Sequence, residues 1–320
     1  MIKVNVFTAN GVHEGEVDNL PALLAESGSV VWVDITTPSE TDLALLRDLF
    51  HFHPLAIEDT RNQRQRPKVE EFPDHLFIIM NSAAINGDEA AFNEIDVFIG
   101  NEFLVTVHNE NVALITAAQE QIVRVGRFTI LSSGYLLYML VDTVVDSYFP
   151  VLDYIDGEIE SLEEEVLRQP KQELLNRMFR LKRTLSEMWR VVGHQRDMFN
   201  ILTYKDHAYI NYGALEYYLR DVYDHLIRIN DSVNAFRDIL TGLIDLYQSS
   251  VSNRLNRVVN QLAVITITIG VLTVISGFYG MNFLKTWPPF DAEWGVWFVL
   301  VLMVVLVAGV LVLFRKFKWY

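Results

Sequence analysis

Two charge-free apolar runs near the C-terminal end restrict this chain more than any other feature. Val258–Phe278 reads VVNQLAVITITIGVLTVISGF, and Gly295–Phe314 reads GVWFVLVLMVVLVAGVLVLF. At ~1.5 Å per residue, each can cross a hydrocarbon core of ~30 Å. The first carries Asn260, Gln261 and several threonines, which a buried core helix would also accommodate. The second is apolar all round, and a lipid surrounding suits it best. The two are expected to form a membrane hairpin joined by Tyr279–Trp294. Arg254 and Arg257 precede the first run, Arg315, Lys316 and Lys318 follow the second, and the connection holds only Lys285 against Asp291 and Glu293. That bias places both termini on the cytoplasmic side of a cell membrane, with Trp287, Trp294, Trp297 and Trp319 near the two interfaces.

The remainder is acidic. Across 320 residues, 26 Lys and Arg face 41 Asp and Glu for a net charge of −15, which excludes a nucleic-acid binder dependent on phosphate neutralisation. An apolar fraction of 51% excludes a disordered chain. Cysteine is absent, and with it disulfides, thiolate metal sites and cysteine nucleophiles. The opening MIKVNVFTANGVHEGEV has no apolar h-region, so no cleaved leader is expected. There is no phosphate-binding Gly-x-x-x-x-Gly-Lys-Ser/Thr loop, no nucleophile elbow and no zinc-type histidine spacing, so an enzyme is not expected.

Ahead of the apolar runs, the pattern changes once. Ile2–Thr8, Val30–Ile35, Leu76–Ile85, Ile95–Ile99 and Phe103–His108 read as strands; Leu20–Glu26, Ser39–Phe50 and Val112–Val125 read as helices. Ser39 and Asp42 form a helix-opening pair. From about Ser132 onward strand signals vanish, and Pro170 and His207–Gly213 are the strong interruptions, which predicts three long helices. In the third, Leu215, Leu219, Val222, Leu226, Ile229, Val233, Phe236, Leu240, Leu243 and Tyr247 alternate steps of four and three, the pattern of a coiled-coil seam. No proline follows before the membrane, so one helix of 67 residues is expected over Tyr212–Phe278, about 100 Å long.

Within the first apolar run the same spacing continues through Asn256, Val259, Ala263, Thr266, Gly270, Thr273, Gly277 and Gly280, all small or polar except Val259. Such a stripe permits close helix packing. In several copies around an axis, it would instead line a narrow uncharged passage. Two spans cannot enclose a pore, so a passage demands a closed ring of subunits. The acids Asp153, Asp156, Glu158, Glu160, Glu163, Glu164 and Glu165 form a run without a base, read first as a solvated face and second as a cation-concentrating collar.

Tyr279-Gly280-Met281-Asn282 stands where the first span meets its outer loop, with a second span and the basic end Arg315-Lys316-Phe317-Lys318-Trp319-Tyr320 after it. This arrangement resembles the CorA family of divalent-cation transporters, whose hallmark is Gly-Met-Asn at that place. His53–Asp59, Gln65–Glu70 and Tyr218–His225 are similar to the family's cytoplasmic signatures. The resemblance covers nearly the whole chain. It implies an α+β cytoplasmic domain, long stalk helices and two C-terminal transmembrane helices, assembled as a funnel-shaped homopentamer. The corresponding boundaries are a cytoplasmic α/β domain at 1–130, a helical hairpin at 131–210, a stalk at 211–257, the pore-lining span at 258–278, an outer loop at 279–294, the second span at 295–314 and a basic tail at 315–320.

By resemblance, Gly280, Met281 and Asn282 form the selectivity filter, and Asn256 offers a second amide ring near the cytoplasmic mouth. Val259, Leu262, Thr266, Gly270, Thr273 and Gly277 then line the passage, with Val259 and Leu262 as apolar constriction candidates. The family often has methionine where Gly270 stands and proline where Val271 stands. Asp59 and Asp221 match family positions that bind Mg²⁺ between neighbouring cytoplasmic domains, with Glu58, Asp224 and His225 as further candidate ligands. Mg²⁺, as cargo and regulator, is the expected ion, with Co²⁺ and Ni²⁺ alongside, and no organic cofactor is expected. A ZntB-like Zn²⁺ transporter coupled to protons is the first alternative; Met281 favours Mg²⁺ or Co²⁺, since those relatives often vary that filter position. A membrane-tethered scaffold is the second, and the unbroken small-residue stripe speaks against it.

Overall fold

The computed structural model describes residues 1–9, 11–87, 89–110, 112–125, 132–205, 207, 209–210, 212–281, 287–289 and 293–317. The chain divides into two compact units, residues 1–164 with 173–242, and residues 165–172 with 243–320.

The first unit is built on one seven-stranded sheet. Its strands are β1 (Ile2–Thr8), β2 (Gly11–Gly15), β3 (Ser29–Thr36), β4 (Lys68–Glu71), β5 (Leu76–Asn86), β6 (Glu89–Ile99) and β7 (Phe103–His108), in the order β2-β1-β3-β7-β6-β5-β4. Among the described strands, β3 and β7 form the one parallel pair, and the other neighbours run antiparallel. The strands Ile2–Thr8 and Phe103–His108 form as their β-branched runs predict. The strands β2 and β4, which sequence patterning leaves as loops, are the two edges. They are short and charged (GVHEG and KVEE), as edges are when they must not recruit another chain. The β6 strand begins at Glu89, well before Ile95, because Glu89–Glu94, only half apolar, pairs with the end of β5.

On one face of the sheet lie α1 (Leu20–Leu24), α2 (Glu40–Asp48) and α3 (Pro54–Asn62). Leu43, Leu46, Phe52, Ala56 and Ile57 pack there on Val33, Ile35, Phe77, Phe98 and Val105. The Ser39/Asp42 pair is a complete capping box. Helix α3 starts on Pro54, with the His53 ring accepting from the Leu55 N–H at 3.2 Å.

Helices α4 (Val112–Val125), α5 (Ser133–Asp146), α6 (Tyr148–Arg168) and α7 (Gln172–Tyr204) follow. Beyond Ile79, β5 has no β4 partner on its outer side. Helix side chains supply the missing partners. The Asn81 N–H donates to Gln195 Oε1 at 2.9 Å, the Tyr148 hydroxyl donates to the Asn81 carbonyl at 2.8 Å, and the Ala83 N–H donates to Ser147 Oγ at 2.9 Å.

Four long helices replace the three expected. Pro150 cannot donate to the carbonyl of Asp146, so the run breaks at Ser147 into α5 and α6. The last of the four, α8 (Tyr212–Tyr279), is a single helix of 68 residues, one longer than the sequence pattern predicts. Nine of the ten seam positions are buried within the single chain, and Phe236 is partly buried. Through Leu240 this burial belongs to the first unit. There Arg228 lies over Phe149, Arg237 over Trp189 and Tyr223 against Tyr204. The seam expected to be a coiled coil is thus, over that length, the packing face toward the chain's own helices.

In the second unit, the C-terminal part of α8 is joined by α9 (Glu293–Lys316). Of the most apolar window in each helix, 6% is buried in α8 and none in α9. Surfaces this apolar and this bare need lipid or further copies around them. The α5–α6 segment is also long and apolar enough to cross a membrane, yet 56% of its window is buried. It is a core element.

Candidate functional site

Within the first unit, α5 places Tyr138, Asp142 and Asp146 at four-residue intervals along one face, opposite Tyr218, Asp221 and His225 of α8. The Tyr138 and Tyr218 rings are 4.9 Å apart. Among the described residues, one group can offer three ligand atoms to a metal ion. Asp142, Asp221 and His225 bring one atom each within 4.8 Å of one another. His225 Nδ1 lies 3.7 Å from Asp146 Oδ1 and has no hydrogen-bond partner. Burial, then the charge of Asp146, pushes the Asp142 carboxyl up to about 6 against the pull of His225; burial raises Asp146 too. Crowded carboxylates of raised affinity for protons are sites where a divalent cation can take the proton's place.

Of the residues expected here, Asp221 and His225 come together as their i, i+4 spacing on α8 suggests. Asp224 is exposed one step off that face. Glu58 is exposed on α3, and Asp59 is held by Lys68 Nζ at 2.7 Å, an amine that also reaches Glu70 at 2.9 Å. Neither joins the cluster within the single chain. Asp142 is the residue that sequence reasoning missed. It and Asp146 are the only charges in the otherwise apolar Ser133–Asp146, and that isolation was the available signal.

Along one face of the apolar run of α8, Val264 is buried and Asn260, Thr268, Val271, Ile275 and Tyr279 are partly buried. On α9, Gly295 and Phe314 are buried and Val299, Leu302, Met303, Val307 and Val310 are partly buried. Near the loop, Tyr279 shares a small apolar pocket with Pro288, Pro289, Gly295 and Val299. A Cβ on Gly295 would stand 2.9 Å from the Pro289 carbonyl, so the start of α9 needs glycine to lie this close. Tyr279 also donates to the Trp287 carbonyl at 2.9 Å.

The stripe Asn256, Val259, Ala263, Thr266, Gly270, Thr273 and Gly277 lies roughly 140° around α8 from that face. It is exposed throughout, apart from a partly covered Ala263. A Cβ added to Gly270 or Gly277 would meet nothing within 4 Å. Among the described residues, nothing within the single chain therefore requires Gly270 or Gly277 to be small. Thr266 and Thr273 donate to the carbonyls of Leu262 and Ile269, each at 2.8 Å. Their oxygens are left as acceptors. Leu262, at the edge of the stripe, is 62% exposed and Val259 is 54% exposed. Gly280 follows the helix end with its N–H on the Ser276 carbonyl at 2.9 Å, and Met281 is exposed. Asn282 lies outside the described residues.

A family profile described as "CorA-like Mg2+ transporter protein" matches residues 27–316. The "Cobalt/magnesium transport protein CorA" of Thermotoga maritima is 37% identical over 299 residues, covering 92% of this chain and 84% of that one. Among solved structures, the complete CorA magnesium transporter from Methanocaldococcus jannaschii superposes with a TM-score of 0.86 at 22% identity, covering 100% of this chain and 99% of that one. The full-length CmaX protein superposes with a TM-score of 0.79 at 17% identity, covering 99% and 97%. At these identities the two structures speak for the fold.

Proposed function

Since the chain belongs to the family of CorA-like Mg²⁺ transporter proteins, we propose that it carries hydrated divalent cations, Mg²⁺ and Co²⁺ foremost, through a cell membrane into the cytoplasm. This is a family of transporters rather than enzymes. The carrying observation is the exposed face of α8, where a Cβ on Gly270 or Gly277 would meet none of the described residues within 4 Å and the threonine oxygens remain as acceptors. A closed ring of copies, five by family resemblance, brings those faces around one axis and gives the small residues their reason.

The chemistry suits a hydrated cation. Mg²⁺ gives up its water reluctantly, so a filter need not touch the metal with carboxylates. Asn282 amide oxygens and Gly280 carbonyls accept hydrogen bonds from the ion's bound waters at the outer mouth, and Asn256 repeats this at the inner one. With both termini in the cytoplasm, a divalent ion entering at 100 mV inside-negative gains about 4.6 kcal/mol, and no nucleotide is needed. Asp142, Asp221 and His225 form the regulatory site for cytosolic Mg²⁺, with Asp59 and Glu58 presented to a neighbouring subunit. Bound Mg²⁺ holds the carboxylates together and favours a closed ring; its loss leaves like charges facing one another.

The test is uptake into proteoliposomes. Mg²⁺ entry is expected under an inside-negative K⁺ diffusion potential without a pH gradient, and Asn282→Ala is expected to abolish it while leaving oligomer size unchanged. Uptake of Zn²⁺ alone, and only with a proton gradient, would replace this reading by the proton-coupled one. Normal Mg²⁺ entry through assembled Asn282→Ala would remove the filter assignment.

A further inference from the structure

An open cavity of about 590 Å³ in the second unit lies between the last turn of α6 and the stretch of α8 that leads into its apolar run. Leu167 and Arg168 line it on one side, and Arg254, Arg257, Val258 and Gln261 on the other. No Asp or Glu is among the described residues that line it. In a chain of net charge −15, three guanidiniums around a cavity without an acid in its lining is a local reversal of sign. Arg168 has Glu165 one turn back on its own helix, so the positive charge rests chiefly on Arg254 and Arg257.

The position of the cavity identifies its occupant. Arg257 immediately precedes the charge-free Val258–Phe278, which puts both α8 guanidiniums at headgroup depth when that run is in the bilayer. Leu167 is 67% exposed and Val258 55% exposed at the same cavity, an apolar margin that a free phosphate would not use and an acyl chain would. Arg254, Arg257 and Gln261 also lie on the side of α8 away from the small-residue stripe, so a bound anion would stand off the passage.

We propose that this cavity binds the headgroup of an anionic phospholipid, Arg254 and Arg257 holding its phosphate while Leu167 and Val258 meet its acyl chains. The site rests on α8 entering the bilayer and is independent of which ion crosses. Planar guanidinium forks suit phosphate oxygens, and a basic pocket at the cytoplasmic face is where such lipids gather.

The experiment uses the purified full-length protein, stripped of lipid in detergent. Phosphatidylglycerol, phosphatidylcholine and glycerol 3-phosphate are titrated separately, with retention read by native mass spectrometry and protection by thermal shift. Wild type is expected to retain phosphatidylglycerol over phosphatidylcholine. Removing each arginine charge weakens retention about fivefold, so Arg254→Gln with Arg257→Gln should lose most of the preference. Lysine at both positions, which keeps the charge, should retain most of it and serves as the folding control. Unchanged phosphatidylglycerol retention in the glutamine pair overturns the site. Glycerol 3-phosphate displacing the lipid at equal concentration overturns the lipid and leaves a free-phosphate site. Flotation with phosphatidylcholine vesicles separates the premises: a wild type that fails to float refutes the bilayer placement, whereas a glutamine pair that floats but still prefers phosphatidylglycerol refutes the pocket alone.

Discussion

Asp142 is half-buried beside Asp146 and Asp221, and those surroundings lift its carboxyl to about 6 from an ordinary 3.8. The folded chain therefore holds a proton here that the unfolded chain has released. The resulting stabilisation is fully present below about pH 3.8 and is lost as the pH rises through about 6. At pH 7.5 the ion-free cluster is then a source of repulsion, and a divalent cation is what relieves it. Asp142→Asn is expected to raise the melting temperature without Mg²⁺ at pH 7.5 and to shrink the increment that Mg²⁺ adds. In the wild type, that increment should be larger at pH 7.5 than at pH 5. Thermal unfolding across a Mg²⁺ titration at both pH values measures this; equal Mg²⁺ midpoints for variant and wild type would remove Asp142 from the site. Lys68 marks a different arrangement at Asp59, where a fixed ammonium already supplies the counter-charge.

The α8 seam has its energetic weight inside the single chain as far as Leu240. Leu226 is fully buried, whereas Phe236 is only partly so. Leu226→Asp should therefore cost about 3–5 kcal/mol or abolish folding, a charge being buried without a partner. Phe236→Asp should cost appreciably less, and urea unfolding of the cytoplasmic signal would rank the two. Equal, small effects would mean that burial in the single chain does not set the stability of this helix. The same helix explains what could be read in advance. Its apolar period and lack of proline made both ends legible to within one residue, and β1 and β7 were legible from β-branched runs. The edge strands β2 and β4 were not, because pairing at one edge needs no apolar pattern. The α5–α6 break was hidden because Pro150 interrupts the helix without ending the apolar period. Asp221 and His225 announce themselves by spacing on one helix. Asp142 comes to them only across a helix–helix contact, which no local pattern records.

At the scale of the whole molecule, the stripe on α8 makes a prediction that separates folding from passage. Among the described residues the Gly277 position is open on its Cβ side, so Gly277→Leu should leave the helical content and the first unit intact. In a closed ring the added side chain would recur once per copy around the axis. Ion uptake by reconstituted protein should then fall at least about tenfold, a barrier increase of about 1.4 kcal/mol, or the ring should fail to close. Circular dichroism, size analysis and flux distinguish these outcomes; wild-type flux from a normally sized oligomer would place the passage elsewhere. Thr266 and Thr273 direct their only hydroxyl protons back along the helix. Between Ala263 and Gly277, that face consequently shows water lone pairs and no side-chain donors. Chloride, which needs donors, would find no solvation there, while the hydrogens of a cation's hydration shell would meet a threonine acceptor at two levels two helical turns apart. Discrimination by sign would then follow from the direction of a few protons, with no titratable group on that stretch for acid to neutralise.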